Sequence, residues 1–149
     1  MKYPIKMLLV IVYILFILVA FLLPLYSFEG YSIISNTTSH LGAQGSPNAW
    51  VMNLTFITLG LASIFVVILS KVRFHQVIGS IFGISLILTG IFQHGSFIEG
   101  YTSNLFEDQL HSIFATMTGI SFVFLAFGHG FMSHGKQRLL GFSLGLVAS

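Results

Sequence analysis

The sequence predicts an all-α membrane protein: a polytopic bundle with four full transmembrane helices and a partial fifth. Of its 149 residues, 55% are hydrophobic and only 7% are charged, whereas a soluble domain carries roughly 25% charged residues. The apolar residues form runs that approach or exceed the ~20 residues that a helix needs to cross a bilayer. The charges between these runs separate by sign. Together these three observations indicate the fold class.

The composition also excludes several classes of protein. The apolar runs occupy most of residues 1–149, so we expect a single transmembrane domain with no separate soluble domain. The net charge is +2 with only six Lys and Arg residues, too few for a basic face that binds nucleic acid. The chain has no Cys, which excludes disulfides, thiolate metal sites and a cysteine nucleophile.

The first predicted span covers residues 7–25, an uncharged run that follows Lys2 and Lys6. A signal peptide has a similar basic start, but its apolar core is only ~7–15 residues long. We therefore expect a retained helix. A polar loop over residues 26–46 follows, and connections of this length are often functional.

The second predicted span covers residues 47–70. Ser46 and Pro47 have the residue types favoured at a helix N-cap and at the first helical position. After a short basic turn, the third predicted span covers residues 76–94 and leads into a loop over residues 95–104.

The fourth predicted span covers residues 105–132. Asn104 and Glu107 at its start have the spacing of a capping box. The last apolar segment, residues 139–149, would reach only about 16 Å as a helix. We therefore expect an incomplete fifth span.

The charged residues fix the expected orientation. All basic residues fall on one side of this arrangement: Lys2, Lys6, Lys71, Arg73, Lys136 and Arg138. All acidic residues fall on the other: Glu29, Glu99, Glu107 and Asp108. Because basic loops stay in the cytoplasm, we expect a cytoplasmic N-terminus, with the loops over residues 26–46 and 95–104 facing outward.

Small and polar residues within the spans mark the expected helix contacts, because close approach drives helix association in lipid. The second span contributes Asn53 and Gly60, and the third contributes three glycines. The full set of predicted packing residues is Asn53, Gly60, Gly79, Gly83, Gly90, Ser112 and Gly119.

A cluster of ionisable residues is expected at the outer ends of the spans. Asp108 and His111 stand at i and i+3 near the start of the fourth span, where both side chains face the same way. His94 ends the third span, and His40 lies in the outer loop. These four side chains could bind zinc, and a metal-bound water is a nucleophile near neutral pH. Asp108 and His111 would then be the catalytic residues.

Two other roles for the same residues remain open. Ionisable residues inside a membrane can form a proton relay. They can also be purely structural, since acids favour the first turn of a helix and a buried histidine can hydrogen-bond a neighbouring helix.

Two stretches resemble the prokaryotic integral-membrane family catalogued as domain of unknown function 998 (DUF998). One runs from Thr38 to Gly42 and continues through Ser46 to Asn53 and Phe56 to Gly60; the other runs from Asp108 to Ala115. The resemblance spans nearly the whole chain. It implies about six helices and a place in the plasma membrane of a prokaryote.

The chain departs from the family pattern at two positions. Relatives often carry an acid where His40 stands, and a Phe-Pro-x-Asp pattern where Phe92, Gln93 and His94 stand. Asp108 and His111 are therefore the stronger candidates for a functional role.

Three functions fit the sequence. The first is a non-catalytic protein that senses, binds lipid or assists a partner at the outer face. The second is a metal-dependent hydrolase or transferase acting on lipid at the outer leaflet, and the third is a small carrier coupled to protons. The expected partner is membrane lipid, with a homo-oligomer or a membrane-protein partner also compatible, and nucleic acid is excluded.

Overall fold

The computed structural model describes residues 3–149, with side chains from residue 7 onward. Within this range the structure is helical and contains no strand. The helices are α1 (Tyr3–Leu22), α2 (Thr38–Leu41), α3 (Ala49–Ile68), α4 (Arg73–Ile91), α5 (Leu105–Met132) and α6 (Gly135–Ala148), with a 3₁₀ turn at Leu23–Tyr26. Lys2 and the side chain of Lys6, which contribute to the predicted orientation, lie outside the described residues.

Four of these helical segments are long and apolar enough to cross a membrane: Met7–Tyr26, Ala49–Ile68, Arg73–Ile91 and Leu105–Met132. The prediction of a polytopic helical membrane protein is therefore confirmed. α6 is shorter and covers 14 residues.

Long helices that are neighbours in sequence are also neighbours in space: α1 packs on α3, α3 on α4, α4 on α5 and α5 on α6. Successive long helices therefore alternate in direction. One end of the bundle carries Lys71 and Arg73, where α4 begins, and Lys136 and Arg138, in the first turn of α6. We call it the basic end. The loops over residues 27–48 and 92–104 share the other, the acidic end.

The most deeply buried side chains lie near the acidic end. Leu41, in the short helix α2, and Met52, in the first turn of α3, have no exposed surface. They form one hydrophobic cluster with Phe56 and with residues of α1 and α4. The part of the polar-looking segment around Leu41 is therefore packed in the interior.

Glycines allow α3 and α4 to approach closely. A Cβ at Gly60 would lie 2.6 Å from the carbonyl oxygen of Gly83, and one at Gly83 would lie 2.8 Å from the carbonyl oxygen of Gly60. Gly79 and Gly90 face α3 in the same way. All four glycines therefore lie in the contact between α3 and α4.

Asn53 is also buried, and its side chain bonds to the loop rather than to another helix. Its Nδ2 donates a hydrogen bond of 3.0 Å to the carbonyl oxygen of Gly42. The side chain fastens the loop after α2 to α3.

Ser112 and Gly119 do not lie in a contact between the described helices, and their packing role stays a prediction. Both residues are exposed on α5, and a Cβ at Gly119 would meet no atom within 4 Å. α6 covers the same face of α5 nearer the basic end, where Gly141 packs on Gly130. α6 ends at Ala148, beside a hollow that Gly119 also lines.

The predicted start of the second span is also corrected. α3 begins at Ala49, and its N-cap is Asn48, which has a left-handed backbone with φ of 58°. Ser46 does not cap the helix, because its hydroxyl donates to the carbonyl oxygen of His40 instead. Asn48 tolerates the left-handed region better than most residues do.

Two further helix ends bear on the functional site. α4 ends at Ile91, so His94 lies in the loop and not in the third span. Asn104 caps α5 as predicted, since its Oδ1 accepts from the amides of Phe106 and Glu107. The reciprocal half of the capping box is absent: the amide of Asn104 donates to Gln44 rather than to Glu107.

Candidate functional site at the acidic end

The loop over residues 38–48 folds as a compact plug against the acidic end of α4 and α5. Leu41 and Ala43 are fully buried, and successive turns are closed by the amides of Gly42, Ala43 and Ser46. These hydrogen bonds pair backbone N–H and C=O groups within a segment that is largely shielded from solvent. The plug carries His40 toward the loop that follows α4.

Gln44 fastens the plug to the rest of the site. The backbone amide of Gln44 donates a hydrogen bond of 2.9 Å to the carbonyl oxygen of His94. The side-chain Nε2 donates to the carbonyl oxygens of Gln93 (3.2 Å) and Asn104 (3.1 Å), and Oε1 accepts from the amide of Asn104 at 2.7 Å. A single buried residue therefore joins the plug, the loop after α4 and the start of α5.

The three predicted histidines meet beside this junction. The ring centres of His40 and His94 are 5.2 Å apart, and those of His94 and His111 are also 5.2 Å apart. Phe97 lies against the group, with its ring centre 3.8 Å from that of His40. We call His40, His94 and His111 the histidine cluster.

His111 is the most deeply buried member of the cluster, with 2% of its surface exposed. Its Nδ1 lies 2.8 Å from the carbonyl oxygen of Phe92 and 3.1 Å from that of Thr89. Because both partners can only accept, Nδ1 carries the proton. These carbonyls lie at the end of α4, where a helix leaves them without partners, so His111 closes the end of α4.

The other nitrogen of His111 has no such partner. Nε2 is buried and forms no hydrogen bond with the described residues. With the proton on Nδ1, this atom presents a lone pair, and it belongs to the ring that contacts His94. A buried polar atom without a partner is costly, which marks this position as a candidate for function.

Asp108 lies beside the central imidazole. Its Oδ1 accepts a hydrogen bond of 2.7 Å from the amide of Gly95 and lies 3.5 Å from Nδ1 of His94. Nδ1 of His94 is also 3.0 Å from the carbonyl oxygen of Gly95. A positive charge on His94 would therefore be compensated by this carboxylate.

His40 has the opposite hydrogen-bond pattern. Nδ2 of Asn36 donates to its Nδ1 at 2.8 Å. Oδ1 of Asn36 accepts from the amide of Ser32, which fixes the orientation of the amide group. Nδ1 of His40 is therefore an acceptor, and the proton of the neutral ring lies on Nε2. Burial lowers the pKa of His40, and the neighbouring His94 and His111 lower it further.

The predicted metal ligands are thus neighbours, but they do not form a ready ligand set. Across residues 3–149, no group of three or more His, Asp or Glu side chains is placed to hold a metal ion. The tautomers suggest a reason, since a ligating imidazole usually donates its other N–H to a carbonyl or a carboxylate. His111 has this arrangement, whereas His40 does not. The zinc site and the catalytic role of Asp108 and His111 stay predictions.

Gln44 and Asn36 were not predicted as site residues from the sequence. Both belong to a long polar loop, where such side chains are usually solvated. The one available signal was the excess of amide and hydroxyl side chains between Asn36 and Ser46. That excess fits a segment that must satisfy its own backbone without water.

A comparison with protein-family models matches residues 10–148 to the family described as "Protein of unknown function (DUF998)". The chain belongs to the DUF998 family. The match includes the plug, the histidine cluster and all of α3, α4 and α5. A search of curated proteins and a search of solved structures found no match.

Membership in the family confirms the resemblance inferred from the two sequence stretches. The description supplies no activity, so any function of this DUF998 protein has to be argued from its own residues.

Proposed function

We propose that this protein is a non-catalytic membrane protein that senses protons at the outer face of the plasma membrane. The histidine cluster is the sensing group, and the plug is the part that responds. One observation carries the proposal: three imidazoles lie in ring contact, and the buried one presents an unpartnered nitrogen. Histidine is the side chain whose charge ordinarily changes between about pH 5 and pH 8.

Adding a second proton to these rings would disturb the histidine cluster at specific atoms. A second proton on His111 has to enter at Nε2, next to His94, because Nδ1 already donates to two carbonyls. On His40 it has to enter at Nδ1, which converts the acceptor of the Asn36 bond into a donor. Two positive rings about 5 Å apart repel by about 3 kcal/mol at an effective dielectric constant of about 20.

The other ionisable groups near the cluster compensate only part of this charge. Asp108 lies within ion-pair distance of His94, and Glu107 accepts a long hydrogen bond from the amide of Gln93. Tyr31 lies nearby through Phe28 and Phe97, and burial raises its pKa, so it stays neutral in this range. No carboxylate in the described chain pairs with His40 or His111.

Release of the plug is the expected response. His40 belongs to the plug, whereas His94 and His111 belong to the helices beneath it and their connecting loop. Repulsion across this boundary opposes the bonds that Gln44 makes to Gln93, His94 and Asn104. Such a change in a few contacts is how clustered histidines switch interfaces at acidic pH.

The two alternative functions have less support. The metal-dependent hydrolase or transferase would need a set of metal ligands, and no three-ligand group is formed in the described part of the chain. A carrier would need a polar path, but the hydroxyls of Thr55, Ser63 and Thr89 donate to carbonyls of their own helices. Thr116 does the same on the exposed side of α5.

Amide hydrogen exchange of the plug tests the proposal. We expect the protection of peptides covering residues 38–48 to fall by about tenfold or more from about pH 7.5 to about pH 5, after correction for intrinsic exchange. His94→Gln removes the central ring and should abolish most of this response. His40→Gln is the second variant, which keeps the test decisive if His94→Gln does not fold.

His134→Gln is the matched control, because His134 is exposed at the basic end and should leave the response intact. An unchanged response in both cluster variants would overturn the proposal. Near-stoichiometric zinc in the purified protein, lost in His111→Ala and in Asp108→Asn, would also overturn it and favour a metal centre.

A further inference from the structure

A second feature lies at the opposite end of the bundle. Between α1 and α6 the row of helices leaves an apolar groove with a cavity volume of about 550 Å³. Its wall is formed by the four long helices and α6, with Tyr13 of α1, Phe82 of α4 and Leu144 of α6 among the lining residues. This volume falls within the range of about 300–1,000 Å³ typical of small-molecule sites.

The groove occupies the half of the bundle nearest the basic end. On α5 its wall extends from Phe122 to His129, which is about 10 Å along a helix axis. Most of the lining side chains are aliphatic or aromatic. An apolar chain that enters from the surrounding lipid fits such a wall.

Polar groups gather where the groove reaches the basic end. His75 and His129 line it there, with ring centres 5.9 Å apart. His75 lies in the first turn of α4 and His129 in the last turn of α5. An apolar groove that ends in two imidazoles matches a ligand with an apolar chain and a polar head.

The charge around this opening is positive and is not neutralised by the protein. Lys71, Arg73, Lys136 and Arg138 are all exposed. None of them forms an ion pair with another residue in the described part of the chain, since the acids lie at the opposite end. Such clusters attract anionic lipid headgroups, each basic residue near the surface adding about fivefold in affinity.

We infer that this groove binds one acyl chain of an anionic phospholipid, with the phosphate of the headgroup at the basic end between α4 and α6. The apolar wall holds the chain, the imidazoles face the glycerol and phosphate region, and the lysines and arginines supply the charge. This binding is independent of the proton-sensing role, because the groove and the histidine cluster lie at opposite ends of α4 and α5.

A second copy of the chain is a poorer occupant. Two copies inserted in the same orientation would bring their basic ends to the same membrane surface. Their exposed lysines and arginines would then repel each other without acids to compensate. An anionic phospholipid supplies both the missing negative charge and the apolar chain.

Native mass spectrometry of the detergent-purified full chain tests this inference. The probes are phosphatidylglycerol and, as the neutral comparison, phosphatidylcholine with the same acyl chains. We expect one phosphatidylglycerol per protein, bound at least about fivefold more tightly than phosphatidylcholine. Leu144→Trp fills the groove and should weaken the binding of both lipids by about tenfold or more.

Leu146→Trp is the matched control, because Leu146 lies on the same helix, is exposed and does not line the groove. Binding should stay within about twofold of the wild type. A double variant Lys136→Gln with Arg138→Gln should lose the preference for phosphatidylglycerol while still binding phosphatidylcholine.

Three outcomes would overturn the inference. One is equal binding of the two lipids to the wild type. Another is undiminished lipid binding in Leu144→Trp. The third is a stable dimer that Leu144→Trp dissociates and Leu146→Trp does not, which would assign the groove to a second copy.

Discussion

Gln44 holds the acidic end together through one buried side chain. Its side-chain amide donates to the carbonyl oxygen of Gln93 and accepts from the backbone amide of Asn104. Both residues are far from Gln44 in sequence. Gln44→Ala would leave these partly buried backbone groups without their partners. We expect a loss of about 2–3 kcal/mol in the free energy of unfolding, measured by thermal unfolding in detergent.

Gln137→Ala provides the comparison for this change. Gln137 is exposed on α6, so its replacement should alter stability by less than about 0.5 kcal/mol. Equal effects of the two substitutions would contradict the role given to Gln44.

His40 makes the stability of the folded protein depend on pH, and the surroundings of its ring set the sign of this dependence. Burial and the two neighbouring imidazoles lower its pKa in the folded protein, so the unfolded chain binds the proton more readily. Stability therefore falls as the pH drops from about 6.5 to the lower folded value and then levels off. Because protonation breaks the hydrogen bond from Asn36, we expect the free energy of unfolding to fall by about 1 kcal/mol.

The measurement is the difference in unfolding midpoint between about pH 7.5 and about pH 5. This difference should shrink in His40→Gln and stay unchanged in His134→Gln. A larger difference in His40→Gln would show that the proton on His40 stabilises the fold, which is the opposite of the expected sign.

The sequence could predict which ionisable residues meet, because topology alone brings the loop after α1, the end of α4 and the start of α5 to the same end. It could not predict which nitrogen of each ring carries the proton. That depends on Asn36 for His40 and on the carbonyls of Thr89 and Phe92 for His111. Such contacts arise from the three-dimensional positions of loop atoms, which have no periodic signature.

At the scale of the helices, hydropathy was sufficient to predict the four long membrane-spanning segments. The helix ends were harder to predict, because they are decided by partners from other segments. Asn48, and not Ser46, is the N-cap of α3, because the hydroxyl of Ser46 bonds within the plug. α4 stops at Ile91, where His111 of the neighbouring helix takes the terminal carbonyls.

The glycines of the long helices allow a matched prediction. Gly83→Ala would push a methyl group against the carbonyl oxygen of Gly60, and a backbone atom cannot move aside cheaply. We expect a loss of about 1–3 kcal/mol. Gly119→Ala adds the same methyl group where nothing lies within 4 Å, and alanine favours a helix over glycine by up to about 1 kcal/mol.

Thermal unfolding of the two variants in the same detergent separates these effects. Gly83→Ala should unfold below the wild type and Gly119→Ala at or above it. If Gly119→Ala were the more destabilised of the two, the exposed face of α5 would be in contact with something other than lipid or detergent.

At the scale of the whole molecule, the bundle has two chemically different ends. Glu107 and Asp108 lie with the histidine cluster, whereas the exposed lysines and arginines lie at the opposite end of the same helices. Both proposals depend on this separation, because a proton sensor has to face a compartment whose pH varies, and a site for anionic lipid has to face positive charge. The expected orientation places the basic end in the cytoplasm.

Single cysteines test this orientation directly, because the chain contains none of its own. Ile34→Cys lies in the loop at the acidic end, where Ile34 is 94% exposed, and Gln137→Cys lies exposed at the basic end. A membrane-impermeant maleimide should label Ile34→Cys in intact cells and Gln137→Cys only after permeabilisation. The reverse pattern would place the histidine cluster in the cytoplasm, where the pH is held nearly constant, and the proton-sensing proposal would then lose its stimulus. The lipid site would keep its geometry and would face the outer leaflet instead.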